Sequence, residues 1–573
     1  MRIADLLRGY RSGAMHPSDV AMSVITAGET SAAPVWITRV ADVELVAAAA
    51  RLDDADRSLP LYGIPFAVKD NIDVAGLPTT AGCPGFSKVA EQTAPAVQLL
   101  IDAGGLLVGK TNMDQFATGL VGTRSPYGAC SSVFDPSRVS GGSSSGSALA
   151  VALGQVAFSL GTDTAGSGRV PAAFNALVGL KPTRGLISTR GVVPACASLD
   201  CVSVFTHDIT DAGLVLDVLA AFDEQDPWSR RAERPVRGRR GLIGVPAEGE
   251  LELDDPQVRS AWQAALDRAA GLWDLVEVDV APLLDAAPLL YAAWVAERTT
   301  DLGAIVAAAP EGLDPTVAAI VEGGASRSGV DVFAAMHGLA SLRAAAAPIW
   351  DEVDALLLPT APAHPTHAEV AADPVGVNEQ LGRFTNFVNL MDLSALAVPG
   401  PSRDDGLPFG VTLLAPAFAD NRLLELGAEW SSEEVDVTMP GSLRLAVAGA
   451  HMSGLPLNSQ LTERGARLLR ATSTADCYRL YALPGEGVAR PGVVRVAEDG
   501  AAIEVEVWEL SPAALGSLMT LVPAPLAIGR VLLADGEEIA GFVCEGHAAG
   551  TATDVTAYGG WRAYLASRAR LLV

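Results

Sequence analysis

Residues 141–169 read GGSSSGSALAVALGQVAFSLGTDTAGSGR and set two serines, Ser143 and Ser167, in separate glycine-rich turns on either side of a short apolar segment. Glycine crowds a serine in this way where its oxygen must face a ligand while neighbouring backbone N–H groups point at the same spot. Such turns need φ angles that only glycine adopts without strain. A flexible linker is the plainer reading of GGSSSGS, but linkers do not run straight into an apolar segment and a second Gly/Ser/Thr turn. A phosphate-binding loop fits worse, because GxxxxGK[ST] needs a lysine after its last glycine and none stands there.

Upstream, GIPFAVKDNID places Lys69 at the end of an apolar strand. Lys69, Ser143 and Ser167 together supply a base, a proton relay and a nucleophile, the set that a serine hydrolase lacking a catalytic histidine needs. As a base Lys69 must be neutral, whereas a solvated lysine titrates near ~10.4. Its neighbours Ile64, Pro65, Phe66, Ala67 and Val68 are apolar enough to desolvate the amine, while Asp70 would oppose that if it pointed inward. A lone lysine beside an apolar strand usually snorkels to the surface; the companion motifs favour the buried reading.

Taken in order, the strings KDNID, GKTNMDQF, GGSSSGSA and GTDTAGSGRVPAAFNALVGLKPTRG resemble the amidase signature family, over roughly residues 20 to 430. The resemblance implies an α/β fold, a mixed central β-sheet covered by helices. It also implies a triad of Lys69, Ser143 and Ser167, with Ser143 following a cis peptide bond after Gly142, and no metal or other cofactor. The oxyanion hole would be the backbone N–H groups of Thr164, Ala165, Gly166 and Ser167, with Asp163 and Arg169 as a structural clasp beside them. Most of the family has glycine where this chain has Ala165, and TAGSGRVPAAF is similar to the allophanate hydrolase branch. The segment DQFATGLVGTRSPYG, with Gln115 and the string Gly122, Thr123, Arg124, fits the same branch, which makes Gly122 and Thr123 substrate contacts. In LLYAAWVAERTT, Tyr291 and Arg298 resemble the pair that holds the substrate carboxylate, a task suited to arginine's planar fork. The chain is one residue shorter between them than the branch pattern. The alternative is a tyrosine packed in a helix and an arginine in a surface ion pair.

A polar stretch with an acidic cluster and a Pro-Gly pair, residues 431–442, reads as a linker between an amidase domain (1–430) and a strand-rich domain (443–573). In the latter, LRLAVAGAH, RLYALPG, GVVRVAE, AAIEVEVWEL and RVLLADGEEIAGFVCE alternate like β-strands joined by tight turns. This module resembles the carboxyl-terminal domain of allophanate hydrolases, a smaller β-rich α+β domain whose fold is similar to the gamma-glutamyl cyclotransferases. AGAHMSGLPLNSQL stands at the substrate-binding turn of those cyclotransferases, but GSLMTLVPAPL lacks their glutamate, so their activity is not implied. The implied role is decarboxylation of the first product or assembly. His451 is the candidate if the domain is catalytic, a core or turn histidine being the alternative. Elsewhere, MRIADLLRGYRSG reads as an amphipathic helix rather than a secretory signal, residues 16 to 60 suggest helices, and APAVQLLIDAGG with LLVGKTN reads as helix, glycine stop and strand.

At 573 residues the chain is long enough for at least two domains, and its formal net charge of −27 argues against a nucleic-acid partner, since phosphate binding relies on basic surface. That counts against a tRNA-dependent amidotransferase. No uninterrupted apolar run approaches the ~18 residues of a membrane span. Six scattered cysteines without C-x-x-C spacing suit free thiols in a reducing cytoplasm, and His364 with His367, the one close histidine pair, lacks further residues to complete a metal site. The resemblance thus implies a cytoplasmic homodimer that hydrolyses allophanate to ammonia and carbon dioxide, with a biotin-dependent urea carboxylase as metabolic neighbour. A broader-specificity amidase and a non-catalytic anion-binding protein are the alternatives.

Overall fold

The short apolar runs of the first two-thirds of the chain become strands buried on both faces, as expected where helices cover both sides of a sheet. The computed structural model describes residues 1–53, 55–231, 241–433, 443–464, 466–485, 488–510 and 512–570. Eleven strands form one mixed sheet, in the order Trp36–Arg39, Leu106–Thr111, Pro65–Lys69, Phe158–Thr162, Val202–Thr206, Val178–Lys181, Leu393–Pro399, Gly410–Pro416, Ala355–Pro359, Leu242–Pro246 and Asp274–Val278. Pro65–Lys69 runs parallel to both of its neighbours, with Val68 in register with Lys110 and Leu160. Ligands of such sheets gather beyond the carboxyl ends of parallel strands, and Lys69 and Thr162 occupy two adjacent ends.

The chain divides into two compact units, Met1–Val437 and Thr438–Val573. Most of the stretch read as a linker, residues 434–442, lies outside the described residues. In the second unit five strands pair in the order Arg467–Ser473, Glu504–Leu510, Leu443–Val447, Glu538–Cys544, Leu526–Leu532, and three more in the order Pro491–Arg495, Tyr478–Ala482, Thr553–Asp554. The run RVLLADGEEIAGFVCE supplies a hairpin turning at Asp535 and Gly536, where glycine has φ +89°.

The amino-terminal segment forms the amphipathic helix Ile3–Ser12, burying Ile3, Leu6, Leu7 and Tyr10. Residues 16 to 60 hold the expected helices, Pro17–Thr30 and Asp42–Asp53, but between them Trp36–Arg39 joins the sheet as an edge strand. Four residues are too few to show a periodicity, and pairing with Leu106–Thr111 decides their conformation. Among the described residues one helical stretch, Gly329–Glu352, is long and apolar enough to cross a membrane by length and composition. It is interrupted by Asp331 and Arg343, and it packs Leu339, Ala346 and Ile349 against the core.

Helix Ile209–Leu219 begins with Asp208, whose carboxylate accepts the Asp211 N–H, while Asp211 in turn accepts the Ile3 N–H at 2.8 Å and so ties the first helix down. Burial, reinforced by the charge of Asp208, raises the Asp211 carboxyl from 3.8 to about 7. A folded-state pKa above the unfolded one contributes stability that is full below about pH 4 and lost as the pH rises through about 7. Asp211→Asn, which keeps an acceptor without the charge, is therefore expected to raise the thermal midpoint more at pH 8 than at pH 5. Equal shifts at the two values would show that Asp211 is not buried as a strained carboxylate.

Candidate active site

Lys69 ends its strand fully buried, and its amine donates to Ser143 Oγ at 2.8 Å and to Thr162 Oγ1 at 2.7 Å. Ser143 Oγ donates to Ser167 Oγ at 2.9 Å, so the three residues singled out from sequence form one continuous chain of hydrogen bonds. The peptide bond between Gly142 and Ser143 is cis. Ser143 is delivered just ahead of helix Ser145–Ala152, whose residues through Val151 are all buried. A Cβ on Gly146 would come within 2.5 Å of Asn112 N and Val35 O, so only a stripe of small residues fits there. Ser167 lies between strand Phe158–Thr162 and helix Val170–Phe174.

Desolvation lowers the Lys69 amine to about 7, against the opposing charges of Asp114, Asp200 and Asp163. Asp70 does not face it. Its carboxylate accepts the Thr80 N–H and hydroxyl and pairs with buried Lys110 at 3.4 Å. With Lys69 neutral, the two serine hydroxyls can turn so that Ser167 donates to Ser143 and Ser143 to the amine. In that state Ser167 Oγ can act as a nucleophile without a histidine.

The Ser167 turn is held from below by Asp163. Its carboxylate takes a two-pronged contact from Arg169, at 2.9 Å on each oxygen, together with the Gly166 N–H at 2.7 Å and the Gly168 N–H at 3.0 Å. Burial alone would raise this carboxyl, but Arg169, Lys181 and the Gly168 N–H hold it below its usual range. The clasp expected of Asp163 and Arg169 is thus formed between two fully buried side chains. Of the four N–H groups expected to make an oxyanion hole, that of Gly166 is turned inward to Asp163. Among the described residues those of Thr164, Ala165 and Ser167 have no partner. Gly166 has φ +131°, and a Cβ there would lie 2.4 Å from Thr385 Oγ1, the group that donates to Ala165 O. Asn389 Nδ2 lies within 3.0 Å of the carbonyls of Asp163, Thr164 and Leu199, and Thr164 Oγ1 donates to Asp200.

Arg298 and Tyr291 converge on one cluster. Arg298 donates from Nε to Ala195 O and from Nη1 to Thr118 Oγ1, while buried Arg124 donates from Nη1 to Thr118 O. The hydroxyl of Tyr291 accepts from Asn386 Nδ2 at 3.0 Å, and burial raises its pKa despite the nearby charges of Arg298 and Arg124. The cluster is tied to the Ser167 turn, because the Ala195 N–H donates to Asp200, the acceptor of Thr164. Gly122 (φ +77°) gives its N–H to Asp114, and a Cβ on it would meet Gly141 O at 2.6 Å. Its smallness therefore serves close backbone packing beside the relay serine. Thr123 is half-buried next to it.

Thr162, Asp200, Thr118, Arg124, Asn386 and Asn389 were not singled out as site residues from sequence. Thr118 and Arg124 lie inside the quoted string DQFATGLVGTRSPYG, so a signal existed for those two. His364 and His367 turn to separate partners, Val139 O and Ser131 Oγ. In the second unit His451 stacks on Phe542, with ring centroids 4.8 Å apart, and Nε2 pairs with Gln460 Oε1 at 3.0 Å. Desolvation lowers its pKa, and it lines a pocket with Arg490, Gly449 and Leu457.

A family model described as amidase matches residues 22–424, seven-tenths of the chain. The chain belongs to the amidase family. A second model, the allophanate hydrolase C-terminal domain, matches residues 443–566. Urea amidolyase of Saccharomyces cerevisiae is 44% identical over 545 residues, covering 88% of this chain and 30% of that protein. The chain thus spans less than a third of the length of the urea amidolyases it matches. The structure of Kluyveromyces lactis allophanate hydrolase superposes with a TM-score of 0.79 at 39% identity, covering 99% of both chains. Urea amidolyase of Lachancea kluyveri is 43% identical over 572 residues, covering 93% of this chain and 31% of that protein. The fold is accordingly the amidase α/β fold with a smaller β-rich carboxyl-terminal domain.

If Lys69 acts as the base, amide hydrolysis requires its neutral form. The kcat/KM is then expected to rise as the pH increases through about 7 and to level off above it. Lys69→Ala is expected to abolish turnover while leaving the circular dichroism spectrum unchanged. A mutant with normal turnover would remove Lys69 from the chemistry.

Proposed function

We propose that this chain is an allophanate hydrolase, cleaving the terminal amide of urea-1-carboxylate. The observation that carries the reading is the placement of two guanidinium groups and a tyrosine hydroxyl in one cluster bonded through Ala195 and Asp200 to the turn that bears Ser167. An anionic end and a reacting carbonyl are then served by adjacent sites, as a small carboxylated urea requires. Ser167 Oγ attacks the carbonyl as its proton passes through Ser143 to Lys69. The N–H groups of Thr164, Ala165 and Ser167 meet the developing oxyanion. The relay returns a proton to the leaving ammonia, and water hydrolyses the acyl-enzyme. The product, an N-carboxylated carbamate, loses one carbon dioxide to leave carbamate, which breaks down to ammonia and the second carbon dioxide, for two ammonia and two carbon dioxide overall.

The match to the allophanate hydrolase C-terminal domain supports a part for the second unit in that decarboxylation or in assembly, with His451 and Arg490 as the groups available to a small anion. Likeness to proteins called urea amidolyase supports a metabolic link to a biotin-dependent urea carboxylase that would supply the substrate. A chain of net charge −27 must admit its anion through a locally positive cluster, and Arg124 with Arg298 forms one. Six free cysteines fit a reducing, cytoplasmic setting, and a homodimer is the proposed assembly.

Ammonia release from allophanate, malonamate, biuret and benzamide, measured side by side on purified protein, tests the reading. Allophanate is expected to be turned over fastest and benzamide not at all. Turnover of benzamide without allophanate would point to a broader amidase, and no turnover of any amide to an anion-binding protein.

A further inference from the structure

Among the described residues, two polar groups in the carboxylate cluster are buried without a partner, Arg124 Nε and Asn386 Oδ1. A buried acceptor left unpaired is costly, and where such an atom lies beside a binding cluster a ligand donor can complete the bond. Asn386 is only 2% exposed, and its side chain occupies the space over Gly382, where an added Cβ would lie 2.3 Å from Nδ2. The preceding residue, Thr385, reaches the Ser167 turn by donating to Ala165 O at 2.7 Å, while Asn386 Nδ2 reaches the carboxylate end by donating to the Tyr291 hydroxyl at 3.0 Å. The Thr385–Asn386 pair therefore links the two ends of the site, Thr385 at the Ser167 turn and Asn386 at the Tyr291 hydroxyl. In allophanate a single N–H separates the carboxylate from the carbonyl that is attacked.

We propose that Asn386 is the residue that distinguishes a carboxylated urea from other short carboxylated amides, its Oδ1 accepting the central N–H of the substrate while its Nδ2 fixes the Tyr291 hydroxyl. The inference rests on the allophanate reading above. The two halves of the side chain have separate tasks. Donation from Nδ2 occupies a lone pair of the tyrosine oxygen and leaves the phenolic hydrogen directed to the substrate carboxylate. This is a positioning effect that any carboxylated amide would share. Acceptance by Oδ1 can favour only a substrate that carries a central N–H, and a site built around such a bond discriminates strongly against an analogue lacking it.

Malonamate, with CH2 in place of that N–H, separates the two tasks. The kcat/KM for ammonia release from allophanate and from malonamate is measured for wild-type protein, Asn386→Ala and Asn386→Asp. In Asn386→Ala the preference for allophanate over malonamate is expected to fall by about tenfold. In Asn386→Asp an acceptor remains but the donor to Tyr291 is replaced by an anion. KM is then expected to rise for both substrates together, with kcat kept and the preference within about twofold of wild type. An equal loss on both substrates in Asn386→Ala overturns the proposal and leaves the allophanate reading standing. If the alanine variant does not fold, a collapse of the preference in Asn386→Asp overturns it instead. Wild-type protein that releases no ammonia from allophanate defeats the reading itself and the proposal with it.

Discussion

Everything at this site depends on keeping water away from one amine. Lys69 can be neutral near pH 7 because it is fully buried at the end of a strand flanked on both sides by parallel neighbours, where desolvation outweighs the opposing charges of Asp114, Asp200 and Asp163. The two groups that do receive its hydrogens are hydroxyls, which stabilise the amine without binding it as a counter-ion would. A carboxylate in either place would keep it charged. The central position in the sheet is thus a chemical requirement as much as a packing one.

That dryness raises the cost of every other charge nearby, and the fold answers by pairing some and surrounding others with hydrogen-bond donors, as Asp114 and Asp200 are. Asp163 is matched to Arg169 and Asp70 to Lys110, all four side chains fully buried. Removing one member of such a pair strands the other, which is far worse than never having had the pair. The Asp163 pair also fixes the turn beside Ser167 through two N–H groups, so charge compensation and nucleophile placement are one device.

The chemical residues were legible in sequence because each lies in a contiguous string whose composition is odd for its surroundings, as lysine is in GIPFAVKDNID and serine in GTDTAGSGR. Tyr291 and Arg298 were legible only through their resemblance to a pair of the allophanate hydrolase branch, and the one-residue shortening between them does not prevent them from entering the same cluster. What stayed hidden is what depends on distant pairing. Thr162 meets Lys69 across 93 positions and Arg298 meets Thr118 across 180, and nothing local in either segment marks the contact. The same holds for the fold. The alternating runs in the second unit fall on six of its strands, whereas Arg467–Ser473, with arginines at 467 and 470, becomes a strand only by lying against Glu504–Leu510. The inward turn of the Gly166 N–H was equally invisible, since sequence places a turn without orienting its amides.

Asp114 joins two parts of the site that are usually thought of separately. Its backbone N–H donates to the carbonyl of Ser143, and its carboxylate accepts the N–H groups of Val121, Gly122 and Arg124 while lying where a Cβ on Gly142 would have to be. The loop that carries Arg124 and the peptide that carries Ser143 are therefore mechanically a single piece. On the proposed reading, recognition and proton transfer are not independently adjustable, and variation that alters the shape of the loop should surface in evolution or in the laboratory as a change of rate as readily as a change of substrate.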